Sequence, residues 1–213
     1  MRPPSLQLAP EGVVYIAFSS LITLVLAVLG LAGPALLFLV ATALIVNFFR
    51  DPERVGPEDP AALVSPADGR VVKVGPAVDP FTGEPRKVVC VFMNVFNVHV
   101  NRSPVAARVD KIRYVPGVFF NASLDKASTD NERCLLRLVD SQNRGFTVVQ
   151  IAGLLARRIV CRTETGDQLA RGERFGLIKF GSRVDLYLPE DYLVQVGVGD
   201  TVIAGETALA TLS

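Results

Sequence analysis

Lys87-Val88-Val89-Cys90-Val91-Phe92-Met93-Asn94-Val95-Phe96-Asn97-Val98-His99 is dense in β-branched and aromatic residues and reads as a strand. Carried on through Asn101, period-two alternation puts Phe96, Val98 and Val100 on one face and Asn97, His99 and Asn101 on the other. Outward from it, residues 70–74, 146–151, 183–188 and 201–204 repeat this texture between clusters of Gly, Pro, Asp and Asn. The expected fold is mainly β, a compact barrel-like or sandwich-like domain over 63–213.

Within that domain Gly166-Asp167-Gln168-Leu169-Ala170-Arg171-Gly172-Glu173 is echoed by Gly199-Asp200-Thr201-Val202-Ile203-Ala204-Gly205-Glu206. Each copy offers a Gly-Asp turn, a short apolar-bearing stretch and a Gly-Glu turn, which predicts two similar hairpin corners. The pattern is similar to the hammerhead strands of biotin and lipoyl carriers, but no lysine stands at a matching hairpin tip.

The N-terminus has another texture. Residues 13–49 contain no Asp, Glu, Lys or Arg, a run well beyond the roughly 20 residues that cross a bilayer once. Gly30-Leu31-Ala32-Gly33-Pro34 interrupts it, so residues 1–49 are expected to form an apolar helical hairpin. A cleaved signal peptide is the competing reading, but its apolar region is about 7–15 residues long. Arg50 and Arg54 follow directly, which places the rest of the chain on the cytoplasmic side of the cell membrane. The charged, proline-bearing segment 50–62 reads as a linker.

The 213 residues carry 22 basic and 21 acidic side chains, a balance that argues against a nucleic-acid partner. Cys90, Cys134 and Cys161 are widely spaced, with no CxxC pair and no companion histidines, so no metal site is expected and buried reduced thiols are.

His99 is the single histidine, so imidazole chemistry near neutral pH has to use it. A hydrogen-bonded structural histidine is the other reading of the same polar row. Ser65-Pro66-Ala67-Asp68-Gly69 alone is a turn, and Gly181-Ser182 alone is a small pair before a strand. Taken in order with Phe96-Asn97-Val98-His99-Val100-Asn101-Arg102-Ser103-Pro104, Tyr114-Val115-Pro116-Gly117, Asn121-Ala122, Asn131-Glu132-Arg133 and Phe180-Gly181-Ser182-Arg183-Val184-Asp185, they resemble the compact form of the phosphatidylserine decarboxylase family. The resemblance extends over nearly all of the chain.

It implies a carboxy-lyase that converts phosphatidylserine to phosphatidylethanolamine. Loss of carbon dioxide from an amino acid leaves an electron pair on Cα that no ordinary side chain can delocalise, so a carbonyl sink is needed. By resemblance, Ser182 attacks the Gly181 carbonyl and the chain cuts itself at 181/182 into a large part (1–181) and a small part (182–213). Ser182 then becomes a pyruvoyl group. His99 would be the base and Asp68 its orienting carboxylate. Whether His99 also returns the proton to the substrate stays open, because longer family members carry two nearby histidines and a Leu-Gly-Ser-Thr site.

Arg102 suits the lipid phosphate as a bidentate partner, or is a solvated strand-end charge. The membrane is an implied partner, and a shared membrane surface favours a homodimer. Two rival functions stay on the page. One is a serine hydrolase built on the same three residues, which lacks the Gly-x-Ser-x-Gly elbow of one large hydrolase class. The other is a membrane-tethered β module that only binds.

Overall fold

Residues 7–123, 127–154, 158–179 and 181–213 are described by a computed structural model. The chain divides into two compact units, residues 1–53 and residues 54–213.

In the first unit, helix α1 (Pro10–Val28) and helix α2 (Ala32–Phe48) form the expected hairpin. The chain reverses at Gly30, in left-handed backbone at φ +73°, and Pro34 stands in the first turn of α2, where its missing N–H costs nothing. The two ends are tied by Ala9 N–H donating to Phe49 O (2.8 Å) and Asp51 N–H to Gln7 O (2.7 Å). Inside the hairpin Ser19 Oγ and Thr42 Oγ1 meet at 2.7 Å. Helix α1, with 19 residues and mean hydropathy 2.0, is long and apolar enough to cross a bilayer, and α2 is a shorter apolar helix.

In the second unit the strands are β1 (Leu63–Val64), β2 (Gly69–Val78), β3 (Pro85–Met93), β4 (Val100–Arg102) and β5 (Ala107–Val115). After a single turn of helix, α3 (Ala127–Asp130), come β6 (Arg133–Val139), β7 (Gly145–Ala152), β8 (Ile159–Cys161), β9 (Gln168–Leu169) and β10 (Arg174–Ile178). The last are β11 (Ser182–Leu188), β12 (Tyr192–Val194), β13 (Thr201–Val202) and β14 (Ala208–Leu212). An eight-stranded sheet runs β13-β2-β3-β11-β7-β6-β5-β9, and two three-stranded sheets run β4-β10-β8 and β1-β14-β12.

Both faces of the large sheet are covered. Val89, Val91, Met93, Val148, Val184, Leu186 and Leu188 pack on one side with Phe175 and Leu209 from the smaller sheets. Val88, Cys90, Leu135, Val149, Ile151 and Tyr187 form a second cluster on the other. Every residue of β11 is buried, so the alternation expected of a half-exposed strand is absent there. The three cysteines are unbridged, with Cys90 and Cys134 buried and Cys161 partly so.

The sequence echo has a structural counterpart. β9 and β13 lie at opposite edges of the large sheet, against the starts of β5 and β2. Gly166 and Gly199 both have φ +102°, and Gly172 and Gly205 have φ +79° and +76°. Their partners match as well: Gly172 N–H donates to Ser103 O and Gly205 N–H to Ser65 O (2.8 and 2.9 Å). Val64 N–H donates to Pro104 O and Arg102 N–H to Pro66 O (3.0 and 2.9 Å), so the two Ser-Pro corners are linked reciprocally.

The segment expected as a linker is tied down from Arg54 onward. Arg171 Nη2 donates to Pro57 O (2.7 Å), and its Nη1 reaches Ala62 O (3.1 Å). Leu186 is central on β11 and inaccessible. Leu186→Ala is expected to destabilise the β unit by about 2–5 kcal/mol, read as a fall in melting temperature.

Candidate active site

Ser182 opens β11 directly opposite Met93 at the end of β3 and Ala152 at the end of β7. It is fully buried, and its Oγ lies 3.9 Å from Met93 Sδ. The residue before it is different in kind. Gly181 has φ +62°, left-handed backbone that costs an L-side chain roughly 1–2 kcal/mol. A Cβ there would meet nothing within 4 Å, so the demand for glycine is conformational rather than steric. The Gly181–Ser182 peptide thus joins a left-handed residue to a strand clamped on both sides.

Asp68 reaches the same edge of the sheet. It immediately precedes β2, whose Arg70 pairs with Phe92, which in turn faces Arg183. Its Oδ2 accepts from Arg54 Nη2 at 2.9 Å and its Oδ1 from Ala204 N–H at 2.7 Å. A carboxylate has about four lone-pair sites, so acceptor capacity remains. Arg54, read from the sequence as a membrane-sidedness charge, here serves a carboxylate within the β unit.

His99 is not on the long strand expected over 87–99. That strand ends at Met93, and Asn94–Asn97 form a turn closed by their own side chains. Asn94 N–H donates to Asn97 Oδ1 and Phe96 N–H to Asn94 Oδ1, both at 2.9 Å. Asparagine competes with the strand ladder in this way, and the face assignment read through Asn94–Asn97 lapses with it. The chain then enters β4. His99 is buried, and its Nδ1 lies 2.9 Å from Asn97 O. A carbonyl only accepts, so the proton of the neutral ring is on Nδ1 and Nε2 is the basic nitrogen.

The backbone of β4 pairs with β10, the strand that leads to Gly181. Two residues past His99, the buried Asn101 sends Nδ2 to Met93 Sδ at 3.7 Å, the sulfur that Ser182 Oγ also approaches. Gln150 Nε2 donates to Asn101 Oδ1 at 2.8 Å. Asn101, two residues past His99, therefore meets the face of β11 that bears Ser182.

Arg102 is buried with its Nη1 donating to Gly172 O at 3.0 Å, at the junction of the two glycine corners. On the opposite face of β11, Arg183 and Asp185 form a bidentate buried pair, Nε to Oδ1 at 2.6 Å and Nη2 to Oδ2 at 2.7 Å. Burial first, and then the Asp185 carboxylate, push the Cys90 thiol well above its usual range. Among the described residues no group of three His, Cys, Asp or Glu side chains is placed to hold a metal.

Sequence reasoning missed Arg54 as the partner of Asp68, the Asn97 carbonyl that sets the His99 tautomer, and the Arg183–Asp185 pair. A signal for the pair existed, since two charges at i and i+2 share one face of a strand and this strand is otherwise apolar.

A family profile described as phosphatidylserine decarboxylase matches residues 41–210. A phosphatidylserine decarboxylase proenzyme of Oleidesulfovibrio alaskensis is 58% identical over 210 residues, covering 99% of this chain and 96% of that protein. One of Nitratidesulfovibrio vulgaris is 56% identical over 213 residues, covering 100% and 98%. One of Burkholderia lata is 46% identical over 212 residues, covering 100% and 99%.

Arg54→Met removes the cation from a largely buried carboxylate, and breaking such a pair by one partner costs up to about 3–5 kcal/mol. The expected outcome is a lower melting temperature than wild type, with a smaller loss in an Arg54→Met, Asp68→Asn double variant.

Proposed function

The chain belongs to the phosphatidylserine decarboxylase family, and from that premise we propose that it cuts its own Gly181–Ser182 bond and then converts phosphatidylserine to phosphatidylethanolamine. The observation that carries the reading is the junction itself: a left-handed glycine bonded to a buried serine at the head of a central strand. The only histidine of the sequence stands immediately before β4, which pairs with β10, the strand that leads into that junction.

Self-cleavage follows from these groups. His99 Nε2 takes the Ser182 hydroxyl proton, and Oγ adds to the Gly181 carbonyl carbon. The C–N bond breaks, leaving an ester and a free amine at position 182. Loss of the Cα proton and of the Cβ–Oγ bond then frees a carboxylate on Gly181. Water replaces the nitrogen at position 182, ammonia leaves, and a pyruvoyl group caps the small chain.

The Asn97 carbonyl orients His99, and Asp68, its charge secured by Arg54 and the Ala204 N–H, offsets the imidazolium charge. The buried start of β11 fits the capped terminus, because Met93 and Ala152 hold position 182 on either side and no charge has to be left there. A pyruvoyl group supplies a conjugated carbonyl that accepts the electron pair left when carbon dioxide departs. In the mature enzyme His99 holds the proton that returns to the substrate carbon.

A membrane partner is supported by the surface of the β unit as well as by α1. The loops that leave the Ser182 edge of the large sheet expose Val95 (37%), Phe96 (66%), Val118 (48%), Phe120 (40%) and Leu154 (62%). Apolar side chains gathered on one rim suit insertion at a lipid interface. We place the β unit on the cytoplasmic face, on the strength of Arg50.

Purified protein should run on a denaturing gel as two chains, of residues 1–181 and 182–213, with the smaller one resistant to Edman degradation. A single uncut chain that decarboxylates phosphatidylserine would exclude the mechanism. Ser182→Ala and His99→Ala should each stay full-length and inactive by intact mass. Phe96→Asp should cut normally yet sediment less with phosphatidylserine vesicles; unchanged sedimentation would remove this rim from membrane binding.

A further inference from the structure

Gly153 is buried immediately beyond β7, and a Cβ built on it would stand 2.0 Å from Gly181 O and 3.0 Å from Gly181 C. No rotamer relieves such an overlap, because both contacts are to backbone. The carbonyl that Ser182 attacks therefore rests against the bare Cα of Gly153.

The peptide that carries Gly153 is itself held. Ala152 N–H donates to Glu132 O at 2.9 Å, and Ala152 O accepts from Asn131 Nδ2 at 2.7 Å. Asn131 is fully buried and has every side-chain hydrogen-bonding group in use. Its Oδ1 accepts from Phe120 N–H at 3.0 Å, and Nδ2 also donates to Phe120 O at 2.8 Å. The loop it grips is pinned a second time, by Val118 N–H to Asp130 O and Glu132 N–H to Val118 O (2.9 and 3.1 Å). That approach requires Gly117, whose Cβ would lie 2.4 Å from Asp130 O. The Gly117 and Asn131-Glu132 motifs have no part in the chemistry of the histidine and the serine, and this network gives them one.

We propose that Gly153, held through Asn131 and the 117–122 loop, is a positioning residue for self-cleavage: it is the backrest that sets where the Gly181 carbonyl, and the oxyanion formed from it, can lie. The inference rests on cleavage at 181/182. It concerns that one step, because the bond it positions no longer exists in the mature enzyme.

This separation makes the test. In Gly153→Ala the appearance of the small chain is expected to slow about a hundredfold, the scale of a displacement of about 1 Å at a reacting group. Asn131→Ser, which shortens the clamp, should slow it as well. Gly33→Ala, where a Cβ meets nothing within 4 Å, should cut at the wild-type rate. Molecules of Gly153→Ala that have been cut should decarboxylate at the wild-type rate per pyruvoyl group, titrated with a hydrazine. A variant that stays wholly uncut but melts with the Ser182→Ala precursor equally supports the assignment. Cleavage at the wild-type rate overturns it. So does slow cleavage accompanied by a lowered melting temperature or by an equal loss of turnover per cut molecule. If wild-type protein is not cut at 181/182, the proposed function fails and Gly153 is not at issue.

Discussion

The clamping of β11 between β3 and β7 is the constraint from which the rest of the site follows. Backbone bonds on both sides fix Ser182 in extended conformation, and the left-handed turn at Gly181 begins one residue earlier. The peptide between them cannot relax toward either neighbour. Its serine is preset by the sheet, and its carbonyl by whatever packs behind it. In this chain that is Gly153.

The two faces of β11 divide the work. Ser182 shares its face with Val184 and Leu186, in the main core. Arg183 and Asp185 face the other way as a desolvated ion pair. Such a pair adds little net stability, since the desolvation of both charges offsets their attraction. Arg183 also reaches Ala122 O at 3.4 Å, so it links the strand that begins at Ser182 to the loop that Asn131 grips.

Much of this architecture was legible in the sequence. The apolar hairpin, the β texture and the paired Gly-Asp and Gly-Glu corners are local patterns, and local physics determines them. The strand read through His99 failed at Asn94, where side-chain hydrogen bonds outcompeted the alternation of the flanking residues. Ser182, Gly181 and His99 were found as a set of motifs in order, although none is distinctive alone. The supporting groups were out of reach for a different reason. Arg54 meets Asp68, and Asn131 meets Ala152, through turns and register that composition does not encode. The acceptor that sets the His99 tautomer is a main-chain carbonyl, which every residue has.

The position of β11 also sets a schedule. Its neighbours β3 and β7 are made well before it, and Ser182 must find Met93, a partner distant in sequence; pairings of that kind close late in folding. Asp68 is held in part by the N–H of Ala204, later still in the chain. The groups to which the proposed cleavage is assigned are therefore assembled only when nearly the whole β unit is in place. A nascent, truncated or misfolded copy has no means of activating itself. A cut at 181/182 would be a receipt for correct folding, issued once and never revoked. The strand it creates stays bound through its ladders to both neighbours, so severing the chain leaves the sheet intact.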